Sequence, residues 1–245
     1  MTSDIILKSS VDPQLKMIAQ KVVNAERITP EEGLALYEKG ELGFLGSLAT
    51  LVRTRKNKNF TYFNKNIHIE PTNVCIFSCR FCSYSKDYKH REDGWELSID
   101  EMLDKVRAYP QGTITEVHVV GGVHPKMDLH YFAGLLKEIK NINPSLHIKA
   151  FTAVELEYMF RKAKMTNAKG LQYLKEHGLD SIPGGGAEIF DEEIRNKICA
   201  DKCNAEQWLN IHQEAHQLNI PSNATMLYGH YESYAHRIDH MNRLR

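Results

Sequence analysis

The sequence carries no net charge: 31 Lys and Arg balance 31 Asp and Glu over 245 residues. That removes the electrostatic argument for a nucleic-acid partner or an anionic membrane surface. One local basic run exists, Arg53, Arg55, Lys56 and Lys58. It closes an amphipathic helical pattern, where cations suit the negative end of the helix dipole. No stretch approaches the roughly 18 apolar residues of a membrane span. The N-terminus, Met1-Thr2-Ser3-Asp4-Ile5-Ile6-Leu7-Lys8, lacks the basic segment and apolar run of a signal peptide, so the expected location is cytoplasmic. There is no low-complexity segment and no sequence repeat. Cysteines are few, five in all. In a reducing cytosol they suggest metal binding or catalysis before disulfides. What is plentiful is ordinary: 42% hydrophobic and 25% charged residues, enough to build the core of one large domain or two small ones.

The first 60 or so residues read as a helical extension. Thr29 caps a helix, Pro30 takes its first position, and Glu32 closes a capping box. Leu45, Leu48, Ala49 and Val52 then repeat at helical spacing. From about residue 61 to 245 the pattern alternates. Strands are expected at Asn66–Ile69, Thr115–Val120, Leu146–Phe151, Leu179–Ile182 and Ser222–Leu227. Between them lie helical faces: Ile99, Met102, Leu103 and Val106; Phe132, Leu135, Leu136 and Ile139; Trp208, Ile211 and Ala215. Two more capping boxes open at Ser98 with Glu101 and at Asn204 with Gln207, and Gly178 suits a helix C-cap. This rhythm predicts an α/β fold, a parallel sheet with right-handed crossovers. A closed (β/α) barrel needs eight units. Only about five are visible, so the expectation is a partial barrel with open sheet edges, truncated after those five units.

The chemistry concentrates in Cys75-Ile76-Phe77-Ser78-Cys79-Arg80-Phe81-Cys82. Three thiolates at C-x3-C-x2-C spacing can wrap one face of a cubane cluster and leave its fourth iron open, where four cysteines would have closed it. An open iron can chelate the amino and carboxylate groups of a small molecule. Two plainer readings stand beside this one: a zinc site with His90 as fourth ligand, and three buried apolar thiols. Cys199 and Cys203 repeat the C-x3-C spacing without a third cysteine and read as ordinary thiols. The loop, with the aromatic Phe81 just before its last cysteine, resembles the motif of the radical S-adenosylmethionine superfamily. The resemblance implies a TIM-type barrel and a [4Fe-4S] cluster held by Cys75, Cys79 and Cys82. It also implies S-adenosyl-L-methionine bound with its adenine near Phe81, and one-electron cleavage of that molecule to a 5'-deoxyadenosyl radical.

Functional groups in such a fold gather where strands end. Gly121 and Gly122 end the second expected strand, where glycine lets backbone approach a ligand. The resemblance makes that ligand the methionyl amino group, and Gly122→Val is then expected to spare the iron. The bland alternative is a tight turn. Glu155 could accept ribose hydroxyls or simply place a charge at a helix N-terminus. Glu188 follows Gly184-Gly185-Gly186 and could address the cofactor. Arg195 could pair with its carboxylate as a fork or be a solvated helix residue. His68, His124, Tyr228 and His230 are candidates for the substrate pocket.

Longer runs narrow the resemblance. Val119-Val120-Gly121-Gly122-Val123-His124-Pro125, His147 through Glu155, Leu179 through Phe190 and Asn223 through His230 resemble the aminofutalosine synthases of the menaquinone and deazaflavin branch. One departure is Glu70-Pro71-Thr72-Asn73, where that family usually has Asn-Tyr-Thr-Asn before the cysteines. The resemblance implies addition of the deoxyadenosyl radical to the enol ether of 3-[(1-carboxyvinyl)oxy]benzoate, then aryl migration and loss of a carboxylate. S-adenosylmethionine is then a consumed co-substrate, and a flavodoxin or ferredoxin is the implied electron donor. The related alternatives are cyclic dehypoxanthine futalosine synthase and the deazaflavin synthase subunit. An alternative of another class is an inactive iron-sulfur or zinc-binding protein.

Overall fold

The computed structural model describes residues 12–90 and 92–245. The segment Met1 to Lys8, read above against a signal peptide, lies outside them. The chain divides into two compact units: the described residues up to Phe63 together with Tyr231–Arg245, and Asn64–His230. No described helix is long and apolar enough to cross a membrane.

The first unit is helical, with α1 (Pro13–Val23), α2 (Pro30–Lys39), α3 (Leu42–Asn57) and α10 (Tyr234–Leu244). Leu15, Ile18, Ala19, Ala35, Phe44 and Leu48 form its core. The expected capping box is present: Glu32 N donates to Thr29 Oγ1 at 3.2 Å, and Thr29 N donates to Glu32 Oε2 at 2.8 Å. The basic run serves helix ends. Arg53 donates to the carbonyls of Lys58 and Phe60 just past α3, and Arg55 donates to Val22 and Val23 at the end of α1. Tyr234 on α10 stacks on Tyr37 of α2, ring centroids 5.0 Å apart.

The second unit is built on a parallel sheet in the order β1 (Asn66–Ile69), β4 (Glu116–Val119), β5 (His147–Ala150). Helices α4 (Ile99–Arg107), α5 (Leu129–Ile142), α6 (Ala153–Ala163), α7 (Asn167–Glu176), α8 (Glu192–Cys199) and α9 (Ala205–Gln217) complete it, with a two-residue parallel pair of β2 (Val74–Cys75) and β3 (Lys86–Asp87). The fourth and fifth expected strands are reduced to single parallel bridges, Lys149 to Ser181 and Ile182 to Ser222. The physical reason is at hand. Pro183 has no N–H to extend the ladder, and the glycine run after it brings Gly184 against the backbone of Asn223 and Ala224.

The strands alternate sharply. Ile69, Val117, Val119, Ile148 and Ala150 are fully buried with the apolar faces of α5 and α6. On the opposite face, register lines up Asn66, Glu116 and His147 in one row across the three strands, and His68, His118 and Lys149 in the next. A parallel sheet covered on both sides is apolar on both sides. This one keeps a polar face, where Glu116 accepts from Lys149 Nζ at 3.0 Å and from the Asn64 and Asn66 amides.

Candidate functional site

The cysteine loop leaves β1 and is anchored before its first thiol. Thr72 Oγ1 donates to Trp95 O at 2.6 Å and accepts from Val74 N at 2.9 Å, and Trp95 N donates to Asn73 Oδ1 at 2.9 Å. Pro71 presents its carbonyl to Leu97 N at 2.8 Å. The Glu-Pro-Thr-Asn entry is thus tied through Pro71, Thr72 and Asn73 to the segment of Trp95 and Leu97.

Cys75, Cys79 and Cys82 are free, half-buried thiols that line one cleft together with Phe81, Gly121, Gly122 and Glu155. Among the described residues, no three His, Cys, Asp or Glu side chains converge on a point that would hold a single metal ion. Three thiols on one cleft supply three of the four contacts of a cubane, each thiolate taking a different iron. His90 is exposed and 3.5 Å from Asp87. Cys75 Sγ accepts from Phe77 N at 3.4 Å and Val123 N at 3.3 Å, the N–H···S bonds that tune a cluster. Burial pushes the Cys75 thiol up and the Cys79 thiol up to about 11. Burial also raises Cys82, but hydrogen bonds from Ser85 and Tyr84 together outweigh it and hold that thiol below its usual range. Loading of the site therefore releases protons. The donor set fits the cluster.

The glycine pair does its work against the protein itself. A Cβ on Gly122 would stand 2.3 Å from Val74 O, and one on Gly121 would stand 2.8 Å from Thr72 O. Gly122 N donates to Thr72 O at 2.7 Å. The close approach is thus to the backbone leading into Cys75. A branched residue at 122 would press on the backbone that leads into Cys75, so Gly122→Val is expected to disturb the thiol loop as well as any ligand contact.

Glu155 lies on the cleft and also caps α6. Its Oε2 accepts from Thr152 N and Thr152 Oγ1, both at 2.7 Å, and its Oε1 accepts from Gly121 N at 3.2 Å. Burial lifts its carboxyl to about 7 against these three donors. Arg195 is neither solvated nor turned to the cleft. It is 2% exposed, and its guanidinium donates to Ala187 O, Ile189 O and Cys203 O. Glu188 pairs with Lys202 at 2.7 Å.

The histidine candidates do not meet at the cleft. His68 stands on the polar sheet face, its ring 4.9 Å from that of His118. His124 is buried, with Nε2 3.2 Å from Glu96 and Nδ1 accepting from Lys126 N. His230 bonds Leu227 O at 3.0 Å, and Tyr228 is exposed. Cys199 and Cys203 are buried. Sequence reasoning missed Lys202, the one cation among the described residues lining the cleft. Its signal was its place between those two cysteines, which drew attention only as thiols.

Comparisons with known proteins agree with this geometry. The chain is 44% identical over 234 residues to the aminodeoxyfutalosine synthase of Thermus thermophilus, covering 96% of this chain and 63% of that protein. It is 41% identical to the aminodeoxyfutalosine synthase of Streptomyces coelicolor over 93% of this chain and 59% of that protein. A 5-amino-6-(D-ribitylamino)uracil–L-tyrosine 4-hydroxyphenyl transferase of Methanocaldococcus jannaschii is 35% identical, covering 88% of this chain and 61% of that protein. The chain thus spans about three fifths of the length of these curated relatives. Solved structures share the fold. Methylornithine synthase superposes with a TM-score of 0.70 at 19% identity, over 89% of this chain and 61% of that one. The FeFe-hydrogenase maturase HydG from Carboxydothermus hydrogenoformans superposes at 0.71 and 18%, over 98% of this chain and 55% of that one. The model of the radical SAM superfamily matches residues 69–244. With three thiols around one cleft at the strand ends and a family match over most of its length, this chain belongs to the radical SAM superfamily.

Proposed function

We propose that this chain carries the cluster-binding and S-adenosylmethionine-binding part of an enzyme that forms aminofutalosine from 3-[(1-carboxyvinyl)oxy]benzoate. The observation that carries the reading is the likeness to the two aminodeoxyfutalosine synthases over nearly the whole chain. Cys75, Cys79 and Cys82 each hold one iron. Bound there, the cluster and S-adenosylmethionine supply a 5'-deoxyadenosyl radical, the co-substrate being consumed. The hard chemistry belongs to the cofactor, and the protein orients and shields it. The N–H groups of Gly121 and Gly122 are already given to Glu155 and Thr72, so any hydrogen bond from this pair to a bound methionyl amine would come from their carbonyls. Phe81 offers its ring to the adenine. His68, His118 and Lys149 lie outside the cleft lining, on the polar sheet face one layer beneath Val120, where Lys149 is held by Glu116; a substrate reaching that face would meet them. Arg195 has no part in this scheme. A flavodoxin or ferredoxin delivers the electron.

The test is anaerobic reconstitution, chemical reduction, and mass spectrometry of products with S-adenosylmethionine and the enol ether. A parallel reaction contains L-tyrosine and 5-amino-6-(D-ribitylamino)uracil. Aminofutalosine in the first alone is the expected outcome. Product in the second alone moves the assignment to the 4-hydroxyphenyl transferases.

A further inference from the structure

The segment after α8 is built against the cysteine loop at several points. Arg80 N donates to Ile198 O at 2.9 Å. Ser78 gives both its N–H, at 3.0 Å, and its hydroxyl to Asp201 Oδ2. Cys79 packs on the cluster of Ile189, Ile194, Ile198 and Cys199. Next in the chain comes Lys202. Its ammonium lies 2.7 Å from Glu188 Oε1 and 5.2 Å from the centroid of the Phe81 ring, and it lines the same cleft as the Cys79 thiol. Only 13% of its side chain is exposed, and 12% of that of Glu188. Glu188 reaches this position from a left-handed backbone, φ 47°, a conformation that a non-glycine residue adopts at a cost.

A buried ammonium is expensive, and a single carboxylate beside it repays part of that cost. Here the pair is set with its positive end toward the thiols and an aromatic face, both of which favour a cation. A cluster held by three thiolates is anionic, and uptake of one electron makes it one unit more negative. A fixed positive charge at low local dielectric stabilises the more negative state. Charge and hydrogen bonds to the sulfurs are among the factors that set such potentials.

We propose that Lys202, aimed by Glu188, is a positioning residue that poises the cluster for reduction by placing a positive charge against Cys79. The electron itself comes from the external one-electron donor. The inference rests on family membership and on the cysteine ligands, and is independent of which substrate the enzyme takes.

The test uses the full chain, reconstituted anaerobically without S-adenosylmethionine. Iron and sulfide are measured first, and the midpoint potential is then read by a redox titration followed by electron paramagnetic resonance. Lys202→Met should move the midpoint to a more negative potential. Glu188→Gln leaves the ammonium without its counter-charge and should move it the opposite way. Lys202→Arg, which keeps the charge, should stay near the parent. If Lys202→Met fails to hold a cluster, the other two variants decide. A Glu188→Gln midpoint that is unmoved or more negative overturns the proposal, because a merely structural pair has no reason to give shifts of opposite sign.

Discussion

Glu155 is a residue on which two demands meet. It closes the capping box of α6 through Thr152 and takes the Gly121 N–H, contacts that favour the carboxylate. Burial opposes them and prevails, lifting the group from 4.5 to about 7. A group that binds its proton more tightly in the folded state gives stability that is complete below the unfolded value and lost as pH rises through the folded one. Folding should therefore weaken as pH climbs from about 4.5 to about 7. The gap bounds the effect at about 3 kcal/mol. Thermal unfolding of the metal-free chain across this range checks it. Glu155→Gln, which keeps the shape and cannot ionise, should flatten the profile. An unchanged slope in that variant would assign the pH dependence to another group.

At the scale of elements, helix starts were legible because caps are local chemistry. Thr29 with Glu32, Ser98 with Glu101 and Asn204 with Gln207 each form the reciprocal bonds their spacing predicts. Thr152 with Glu155 has the same spacing, yet its place after a strand drew the carboxylate into a cofactor reading. Both roles meet at one residue, which spacing alone does not separate. Arg195 was illegible for a different reason. Its partners are three backbone carbonyls, whose positions depend on how residues 187–189 and Cys203 fold around α8, and main-chain atoms leave no mark in a sequence. This arginine joins the start of α8 to the loops on either side of it. Arg195→Met keeps most of the volume and strands those carbonyls. At 1–3 kcal/mol for each buried group left unsatisfied, partly relieved by relaxation, the loss should be on the order of 3 kcal/mol. Denaturant unfolding of the metal-free protein measures it. Parent-like stability would free the guanidinium for a ligand-facing role.

At the scale of the whole molecule, the parallel order was legible and the extent of pairing was not. Apolar alternation located β1, β4 and β5, because residues two apart share a face. The later segments carried the same signal, but Pro183 and the glycines after it cut their ladders to single bridges. The cysteine spacing identified the cleft, whereas Lys202 entered it through tertiary contacts that no spacing encodes. The sheet also has a consequence for behaviour in solution. Among the described residues, β1 pairs only with β4, and the Ser222 segment bridges only Ile182. Each therefore has an outer edge of backbone donors and acceptors with no strand beside it, the arrangement that templates pairing between chains. The polar side chains of Asn66 and His68 blunt the β1 edge only in part, since a neutral amide and an imidazole repel an incoming strand less than a fixed charge. The chain should accordingly associate, its average mass in sedimentation rising with protein concentration. Asn66→Lys, which adds a charge at the exposed start of β1 beside Glu116, should lower that mass at equal concentration. A parent that stays monomeric throughout would mean that these edges are already guarded by neighbouring segments of the same chain.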